Sequence, residues 1–241
     1  MTYIMGFVTP VPADREADYL AHAEKALPIF ADHGADRMVE AWGDDVPEGK
    51  TTDFRMAVKA QADEAVVFSW IEFADKAASD RFGAAMESDP RIAELGDMPF
   101  DGKRMIFGGF DPIVVEGPGG ATGYADGYLV PVPDDKRDAY RDCAMMMAPL
   151  FLEYGAIKVV EAWGDGLPKG EVTDFAGAVK AEDGENVVFS YVEWPDKATR
   201  DAAWEKMQQD ERMQPDPTSP IPFDGKRMIY GGFRPVLDRR P

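Results

Sequence analysis

An internal repeat is the sequence feature that most restricts how this chain can fold. Two blocks of the first half return almost unchanged in the second half. They are EAWGDDVPEGKTTDF at residues 40–54, which returns as EAWGDGLPKGEVTDF at 161–175, and PFDGKRMIFGGF at 99–110, which returns as PFDGKRMIYGGF at 222–233. Because a solenoid needs at least about three repeats to bury a continuous core, two copies point instead to a pair of homologous domains.

The repeat extends over most of the chain and predicts where one domain ends. An alignment without gaps of residues 3–93 with 124–214 has about 40 identical positions out of 91, far more than chance produces. Between the copies lies the segment EGPGGATG, whose composition is typical of a flexible linker. We therefore predict one domain at residues 1–115, a linker at 116–123 and a second domain at 124–241.

Strand and helix patterns alternate within each copy. Runs of β-branched and aromatic residues predict strands, and apolar residues at helical spacing predict helices. The predicted order in the first copy is a strand at 4–11, a helix at 15–33, strands at 37–43, 54–60 and 65–73, a helix at 75–88 and a strand at 105–110. This order is βαββαβ with one accessory strand, which is typical of a ferredoxin-like α+β unit, an antiparallel sheet with two helices on one face.

The central strands carry too few polar residues for a sheet with one face in water. Such a strand alternates apolar with polar side chains, whereas VVFSWI at 66–71 and VVFSYV at 187–192 hardly alternate. Two helices cover only one face of each sheet, so the other face needs a partner, and the homologous copy is tethered next to it. We therefore predict that the two antiparallel sheets pack face to face into a barrel, as a pseudo-dimer within one chain.

Composition and charge exclude several classes of partner. The 241 residues include 26 Lys and Arg against 45 Asp and Glu, a net charge of −19. Nucleic acids and anionic membranes repel such a chain, because both are bound through clustered basic residues. Cys143 is the single cysteine, which excludes an intrachain disulfide and a cysteine-based metal cluster. There is no apolar run of about 18 residues and no signal-peptide pattern, so we expect a cytoplasmic protein.

Several blocks of both halves resemble one bacterial protein family. In the first half these blocks are Glu40-Ala-Trp-Gly-Asp44, Thr52-Asp53-Phe54, Ala57-Val-Lys-Ala60, Val66-Val-Phe-Ser69 and Phe100-Asp-Gly-Lys-Arg-Met-Ile106, and each has a counterpart in the second half. They are similar to the uncharacterised YbaA-like family, whose members have roughly 120 residues and belong to the ferredoxin-like dimeric α+β barrel superfamily. The resemblance implies a barrel of two such units, usually a homodimer and here fused in one chain.

The resemblance does not supply an activity. The YbaA-like family has none from which catalytic residues could be carried over. Better-known members of the superfamily include small cofactor-free monooxygenases, muconolactone-type isomerases, haem-degrading proteins and dye-decolourising peroxidases. Because one fold supports so many kinds of chemistry, function has to be argued from the residues of a site.

Glutamates on the predicted strands are candidate general bases. The candidates are Glu40, Glu72, Glu161 and Glu193. The two-residue period of a strand places Glu40 on one face with Trp42, and Glu72 on one face with Trp70. If these faces border a cavity, burial among aromatic rings raises the pKa of each carboxyl toward neutrality, as general-base catalysis requires. The alternative is that the glutamates pair with Lys or Arg at strand ends and that the aromatic residues form ordinary core.

Aromatic and basic side chains are candidate ligand contacts. The aromatic candidates are Trp42, Trp70, Trp163 and Tyr191, which share strand faces with the glutamates. The basic candidates are Lys103, Arg104, Lys226 and Arg227, which follow an Asp-Gly turn and could hold an anionic group. Salt bridges to neighbouring Asp or Glu are the alternative for the basic residues.

Other kinds of chemistry have little support in the sequence. The two histidines, His22 and His33, correspond to Cys143 and Tyr154 in the second half, so no Ser/His/Asp or Cys/His arrangement is repeated. The phosphate-binding patterns G-x-x-x-x-G-K-[ST] and G-x-G-x-x-G are missing, as is the spacing of a calcium loop. We therefore predict no metal site and no tightly bound cofactor.

These observations favour a protein that acts on a small molecule. We predict that each half forms a pocket between sheet and helices that binds or transforms a small, partly apolar metabolite, with Glu40 or Glu72 as the base in the case of catalysis. The alternative is a non-enzymatic ligand-carrying or stress-linked module whose helices or acidic rim contact another protein. The sequence leaves open the identity of the ligand, whether both pockets function, and whether the chain forms a further homo-oligomer.

Overall fold

Both copies of the repeat fold into the same order of strands and helices. The computed structural model describes residues 2–213 and 220–240. The first half contains β1 (Tyr3–Pro12), α1 (Glu16–Asp32), β2 (Ala35–Asp45), α2 (Phe54–Ala57), β3 (Glu64–Phe73), α3 (Lys76–Ser88), α4 (Pro90–Glu94) and β4 (Ile106–Glu116). The second half contains β5 (Tyr124–Pro133), α5 (Arg137–Glu153), β6 (Lys158–Gly164), α6 (Phe175–Ala178), β7 (Glu185–Trp194), α7 (Lys197–Met207) and β8 (Ile229–Arg239). The long elements of each half therefore follow the predicted βαββαβ order.

The prediction of an accessory strand at residues 54–60 is wrong, because a one-turn helix lies there. Asp53 is the N-cap of α2, and its carboxylate accepts a hydrogen bond from the Met56 backbone N–H at 2.6 Å. This bond satisfies one of the donors that the start of a helix leaves free. Lys59 follows the turn with a φ of 50°, and Asp174 caps α6 in the same way. The cap overrides the strand propensity of the apolar residues that follow it.

The eight strands form one closed antiparallel barrel. Their order is β1-β3-β2-β8-β5-β7-β6-β4, and β4 closes the barrel on β1. The long strands β4 and β8 join the halves. The first residues of β4 pair with β1 of the same half and the last with β6 of the other half, while β8 pairs with β5 and with β2. The predicted pseudo-dimeric barrel is thus confirmed, and its two sheets share hydrogen bonds at both edges.

Aromatic rings from the two halves meet inside the barrel. Phe68 stacks on its counterpart Phe189 with ring centres 4.5 Å apart, and Trp70 stacks on Tyr191 at 4.3 Å. All four side chains are fully buried. Gly6 on β1 leaves room for one of these rings, since a Cβ at this position would lie 2.7 Å from the Phe189 ring. The interior is therefore a packed core, and space for a ligand has to be sought on the outer face.

The long helices cover the outer face of the barrel. In the first half, α1 and α3 pack on the strands through Ala23, Ala78 and Phe82, which belong to one core cluster with Tyr3 and Phe73. In the second half, α5 and α7 form an equivalent layer. Across residues 2–213 and 220–240, no helix is both long and apolar enough to cross a membrane. The layer between α1, α3 and the sheet of the first half contains the cavity described next.

Candidate functional site

A cavity of about 460 Å³ lies between the sheet of the first half and helices α1 and α3. Its volume suits a small organic molecule, since ligand pockets range from about 300 to 1,000 Å³. Most of the lining is apolar and includes Phe7, Phe30, Met38, Phe82, Met86 and Phe107. The polar lining includes Thr9, Tyr19, Glu40 and Ser69. We refer to this cavity as the Glu40 pocket.

Glu40 reaches the pocket from the middle of β2. Strand alternation turns Glu40 to the same side as Met38 and Trp42, as the sequence predicted, and this side faces α1. The Tyr19 hydroxyl on α1 donates a hydrogen bond to Oε2 of Glu40 at 2.6 Å. The Ser69 hydroxyl on β3 donates to the same oxygen. A helix and a neighbouring strand therefore fix the orientation of the carboxyl group.

Burial makes the Glu40 carboxyl a weak acid. The residue is 7% exposed, and loss of hydration raises its pKa to about 7, against the opposing effect of the hydrogen bonds from Ser69 and Tyr19. Within the described ranges, no lysine or arginine lies close enough to lower the pKa of Glu40 again. Burial and the Glu40 carboxylate also raise the pKa of Tyr19 well above its usual value, so the tyrosine remains a donor. Both hydrogen bonds end on Oε2, so Oε1 has no hydrogen-bond partner among the described residues.

The second half keeps the acid and its partners. The Tyr140 hydroxyl on α5 donates to Oε2 of Glu161 at 2.8 Å. Burial raises the pKa of Glu161 to about 7, and hydrogen bonds from Tyr140 and Ser190 act in the opposite direction. The spacing of 21 residues between the tyrosine and the glutamate is the same in both halves. The two halves thus contain the same polar triad of tyrosine, serine and glutamate.

The helix beside the triad differs between the halves at two neighbouring positions, since Phe82 and Gly83 correspond to Ala203 and Trp204. Gly83 on α3 borders the Glu40 pocket, and a Cβ at this position would meet no atom within 4 Å. Its counterpart on α7 is Trp204, whose indole N–H donates to Asp126 at 3.1 Å and whose ring packs edge-on against Phe151. Phe151 corresponds to Phe30, which lines the Glu40 pocket. In the first half the corresponding edge-on contact with Phe30 is made by Phe82, whose counterpart is Ala203. Gly83 therefore adds no side chain to the pocket, while Phe82 supplies the ring that packs on Phe30.

Glu72 and Glu193 lie away from the pocket, where they form ion pairs at one end of the barrel. Arg37 donates to Glu72 at 3.0 Å and to both carboxylate oxygens of Glu193 at 2.9 and 2.8 Å. Lys158, the counterpart of Arg37, lies 2.8 Å from Glu72. Although burial raises the pKa of Glu72, Lys158 and Arg37 bring it below its usual value. For these two glutamates the structure shows the ion pairing that the sequence left as the alternative to a base.

The four predicted aromatic contacts are outside the lining of the Glu40 pocket. Trp70 and Tyr191 stack on each other in the barrel core. Trp42 packs behind Tyr19, with 6.1 Å between ring centres. Trp163 borders a separate polar cleft between the halves, where the Arg137 guanidinium lies 5.6 Å above its ring. Trp42 thus supports the pocket through Tyr19, and the other three rings stabilise the fold elsewhere.

The predicted basic contacts are at two equivalent turns. They are Lys103, Arg104, Lys226 and Arg227, of which the two lysines are exposed. Arg104 donates to both carboxylate oxygens of Glu64 at 2.7 Å and to the Lys59 carbonyl at 3.0 Å. Arg227 makes the same contacts with Glu185 and the Lys180 carbonyl. These arginines hold the turns that follow α2 and α6, as the salt-bridge alternative predicted.

Sequence reasoning missed three residues that shape the pocket. Tyr19 and Ser69 orient the Glu40 carboxyl, and Gly83 adds no side chain to the cavity. A signal for the first two was available, since both recur at the same spacing in the second half, as Tyr140 and Ser190. Within the part of the chain that the structure describes, no group of three or more His, Cys, Asp or Glu side chains is arranged to hold a metal ion.

Comparison with known proteins finds one family in both halves. The family described as "Protein of unknown function (DUF1428)" matches residues 2–102 and 123–225. The "Uncharacterized protein YbaA" of Escherichia coli K12 is 56% identical over 115 residues, which are 48% of this chain and 97% of that protein. The protein of the same name from Shigella flexneri has the same values. The resemblance noted in the sequence is confirmed, and one copy of the repeat has the length of a whole relative.

Solved structures of low sequence identity share the fold. A "putative monooxygenase" from Lactobacillus acidophilus has a TM-score of 0.58 at 12% identity, with 100% of this chain and 97% of that chain covered. An "anthrone oxidase-like protein" has a TM-score of 0.54 at 11% identity, with 99% and 92% covered. At these identities the similarity shows a common architecture, the dimeric α+β barrel, and no particular chemistry.

Proposed function

The chain belongs to the DUF1428 family, and from that premise and the geometry of the Glu40 pocket we propose that it binds a small, largely apolar molecule in its first half. One observation carries the proposal: an apolar cavity of about 460 Å³ is bordered by a buried carboxyl whose Oε1 has no hydrogen-bond partner among the described residues. Ligand sites typically combine apolar walls with a few polar groups that orient the ligand. The oxidase-like and monooxygenase-like names of the structural relatives are compatible with such a ligand.

We further propose that Glu40 acts as a general base if the bound molecule reacts. A carboxyl with a pKa of about 7 is present in both protonation states at neutral pH, so it can accept a proton from a ligand and release it afterwards. Tyr19 and Ser69 orient the carboxyl, and no tightly bound cofactor is needed for this step. The test is to compare the wild type with Glu40→Gln for binding and for product formation. Equal binding by both proteins, with no product formed by either, would favour the alternative of a ligand carrier.

The charge and the single cysteine of the chain bear on its partner and its compartment. Because the net charge is −19, we propose a small molecule as the partner, rather than nucleic acid or a membrane. One cysteine and no disulfide are typical of a reducing compartment, and we propose the cytoplasm. A further homo-oligomer stays a prediction, which the mass in solution tests against the 26.6 kDa of one chain.

Gly83→Trp should close the Glu40 pocket. The substitution adds an indole at the border of the pocket while Phe82 keeps its contact with Phe30, so the two rings together fill the space. The backbone of α3 tolerates it, because a Cβ at Gly83 meets no atom within 4 Å. We expect compounds that raise the melting temperature of the wild type to lose at least about 100-fold in affinity, about 2.7 kcal/mol. The measurement is a thermal-shift screen of small metabolites, repeated by calorimetric titration for the compounds found.

Gly83→Ala is the matched control for this experiment. It adds only a methyl group, which improves helix propensity by about 1 kcal/mol and leaves most of the pocket open. Ligand affinity should therefore remain near that of the wild type. Equal affinities in the wild type and the tryptophan variant would show that the compounds bind elsewhere, and the proposal for this pocket would then fail.

A further inference from the structure

We propose that the ligand of the Glu40 pocket is a lipophilic organic cation, an amine with an aromatic or branched apolar body whose ammonium group pairs with Oε1 of Glu40. This inference rests on the proposed function, because it names the chemical class of the molecule bound in the same pocket. It follows from the ion pairs of the buried carboxylates, from the side chains that line the pocket and from the charges around it.

Glu40 lacks the cation that most of the buried carboxylates of this chain have. Within the described ranges, the residues whose carboxylates are buried are Glu40, Asp53, Glu64, Glu72, Asp126 and Glu193. Four of the six form ion pairs: Glu64 with Arg104, Asp126 with Arg200, Glu72 with Arg37 and Lys158, and Glu193 with Arg37. Asp53 caps α2.

Glu40 receives only neutral donors, the hydroxyls of Tyr19 and Ser69. A buried charge is stable only when it is paired. The protein supplies cations to Glu64, Glu72 and Glu193, whereas Glu40 and its counterpart Glu161 receive only hydroxyl donors among the described residues. Glu40 is the one of these two that lines the Glu40 pocket, so a ligand bound there can bring the cation.

The walls of the pocket suit a cation with an apolar body. The rings of Tyr19 and Phe100 lie side by side, with centres 5.8 Å apart, and both line the pocket with Phe7. Aromatic faces attract an ammonium group through their quadrupole, and methionines such as Met38 and Met86 adapt to ligands of different shape. An amine would therefore find its charge compensated by Glu40 and its body enclosed by apolar side chains.

The remaining ionisable groups around the pocket do not oppose a cation. His22 on α1 lines the pocket, and burial together with the charge of Lys25 lowers its pKa, so it is neutral at pH 7. Glu87 on α3 also lines the pocket and adds a second acid. Arg239 on β8 pairs with Met38 across the strands and is exposed. Glu87 and the net charge of −19 favour the approach of cations over anions.

The test compares two probes of equal shape, naphthalen-2-ylmethylamine and naphthalen-2-ylmethanol, by calorimetric titration. Because the ammonium group pairs with ionised Glu40, the affinity of the amine should rise about tenfold between pH 6 and pH 8, where a carboxyl with a pKa of about 7 becomes ionised. The alcohol should show no such rise. Glu40→Gln should weaken the amine at least about tenfold at pH 8 and remove its pH dependence, while Glu161→Gln, the matched control in the second half, should leave it unchanged.

The outcomes separate this inference from the proposed function. If the alcohol binds as tightly as the amine at pH 8, and both bind Glu40→Gln as well as the wild type, the cationic class is overturned while the pocket remains a binding site. If neither probe binds the wild type, the cationic class is overturned, while the proposed function still stands or falls with the metabolite screen. If both probes bind Gly83→Trp as tightly as the wild type, they bind outside the pocket, and the proposed function fails together with the inference.

Discussion

Arg37→Leu should lower the free energy of unfolding by about 3–5 kcal/mol, the largest effect that we expect from a single substitution in this chain. The Arg37 side chain is fully buried at the end of the barrel, with Glu72 and Glu193 as partners. It also donates to Asp238 on β8 at 2.8 and 2.9 Å and to the Thr122 hydroxyl. Leucine would leave the Glu193 carboxylate buried next to a single cation, Lys158, at 3.8 Å.

This network also joins the halves of the barrel, which adds to its effect. Arg37 belongs to the first half, whereas Glu193 and Asp238 belong to the second. Urea unfolding at pH 7 measures the change. Arg91→Leu is the control, because Arg91 is also paired to aspartates but is 41% exposed, so it should cost no more than about 1 kcal/mol. Equal small effects of both substitutions would mean that the buried network contributes little to stability.

Glu40→Gln should stabilise the protein at alkaline pH. The pKa of Glu40 rises from 4.5 to about 7 on folding. Between these values the unfolded chain has lost the proton and the folded protein keeps it, so the free energy of unfolding falls as the pH rises. The full cost of ionising the buried carboxyl, about 3 kcal/mol, is reached above pH 8. Glutamine keeps an acceptor for Tyr19 and Ser69 and never becomes charged, so it avoids this cost.

The measurement is urea unfolding of both proteins at pH 5 and pH 8.5. We expect the stability of Glu40→Gln relative to the wild type to increase by about 2–3 kcal/mol between these values. Glu161→Gln should change in the same direction, because burial also raises the pKa of Glu161 to about 7. Glu72→Gln is the contrasting control. Because folding lowers the pKa of Glu72, its carboxylate stabilises the folded protein at pH values above the pKa of the unfolded chain, and this stabilisation disappears as the pH falls through the pKa of the folded protein. A difference that stays constant between pH 5 and pH 8.5 would contradict the assignment of Glu40.

One prediction of the sequence analysis is wrong, and another could not be completed from the sequence. The strand expected at 54–60 is a capped turn of helix, because the Asp53 side chain satisfies backbone donors that a strand would pair differently. Glu40 and Glu72 were equivalent candidates, since the two-residue period shows which residues share a face of a strand but not what that face contacts. The contacts separate them: Glu40 meets a cavity and Glu72 meets two cations.

The two copies of the repeat also differ in a way that only packing reveals. The sequence shows that glycine stands at position 83 and tryptophan at 204. What the indole contacts is decided by packing, and it lies against Phe151 and Asp126. The Glu161 site keeps its tyrosine and its raised pKa, with tryptophan on the neighbouring helix where the Glu40 pocket has glycine.

The architecture was determined by the sequence alone, because an internal repeat and the hydrophobic periodicity of each strand and helix can be read directly from the order of residues. They predicted two βαββαβ units, the covered second face of each sheet, and the barrel that the two sheets form, whereas the stacking of Phe68 on Phe189 inside it is seen only in the structure. The functional assignment of each carboxyl was decided by the tertiary structure. The pKa of a glutamate depends on hydration and on charges within a few ångströms, and residues far apart in the chain, such as Arg37 with Glu193 and Tyr19 with Glu40, provide those surroundings.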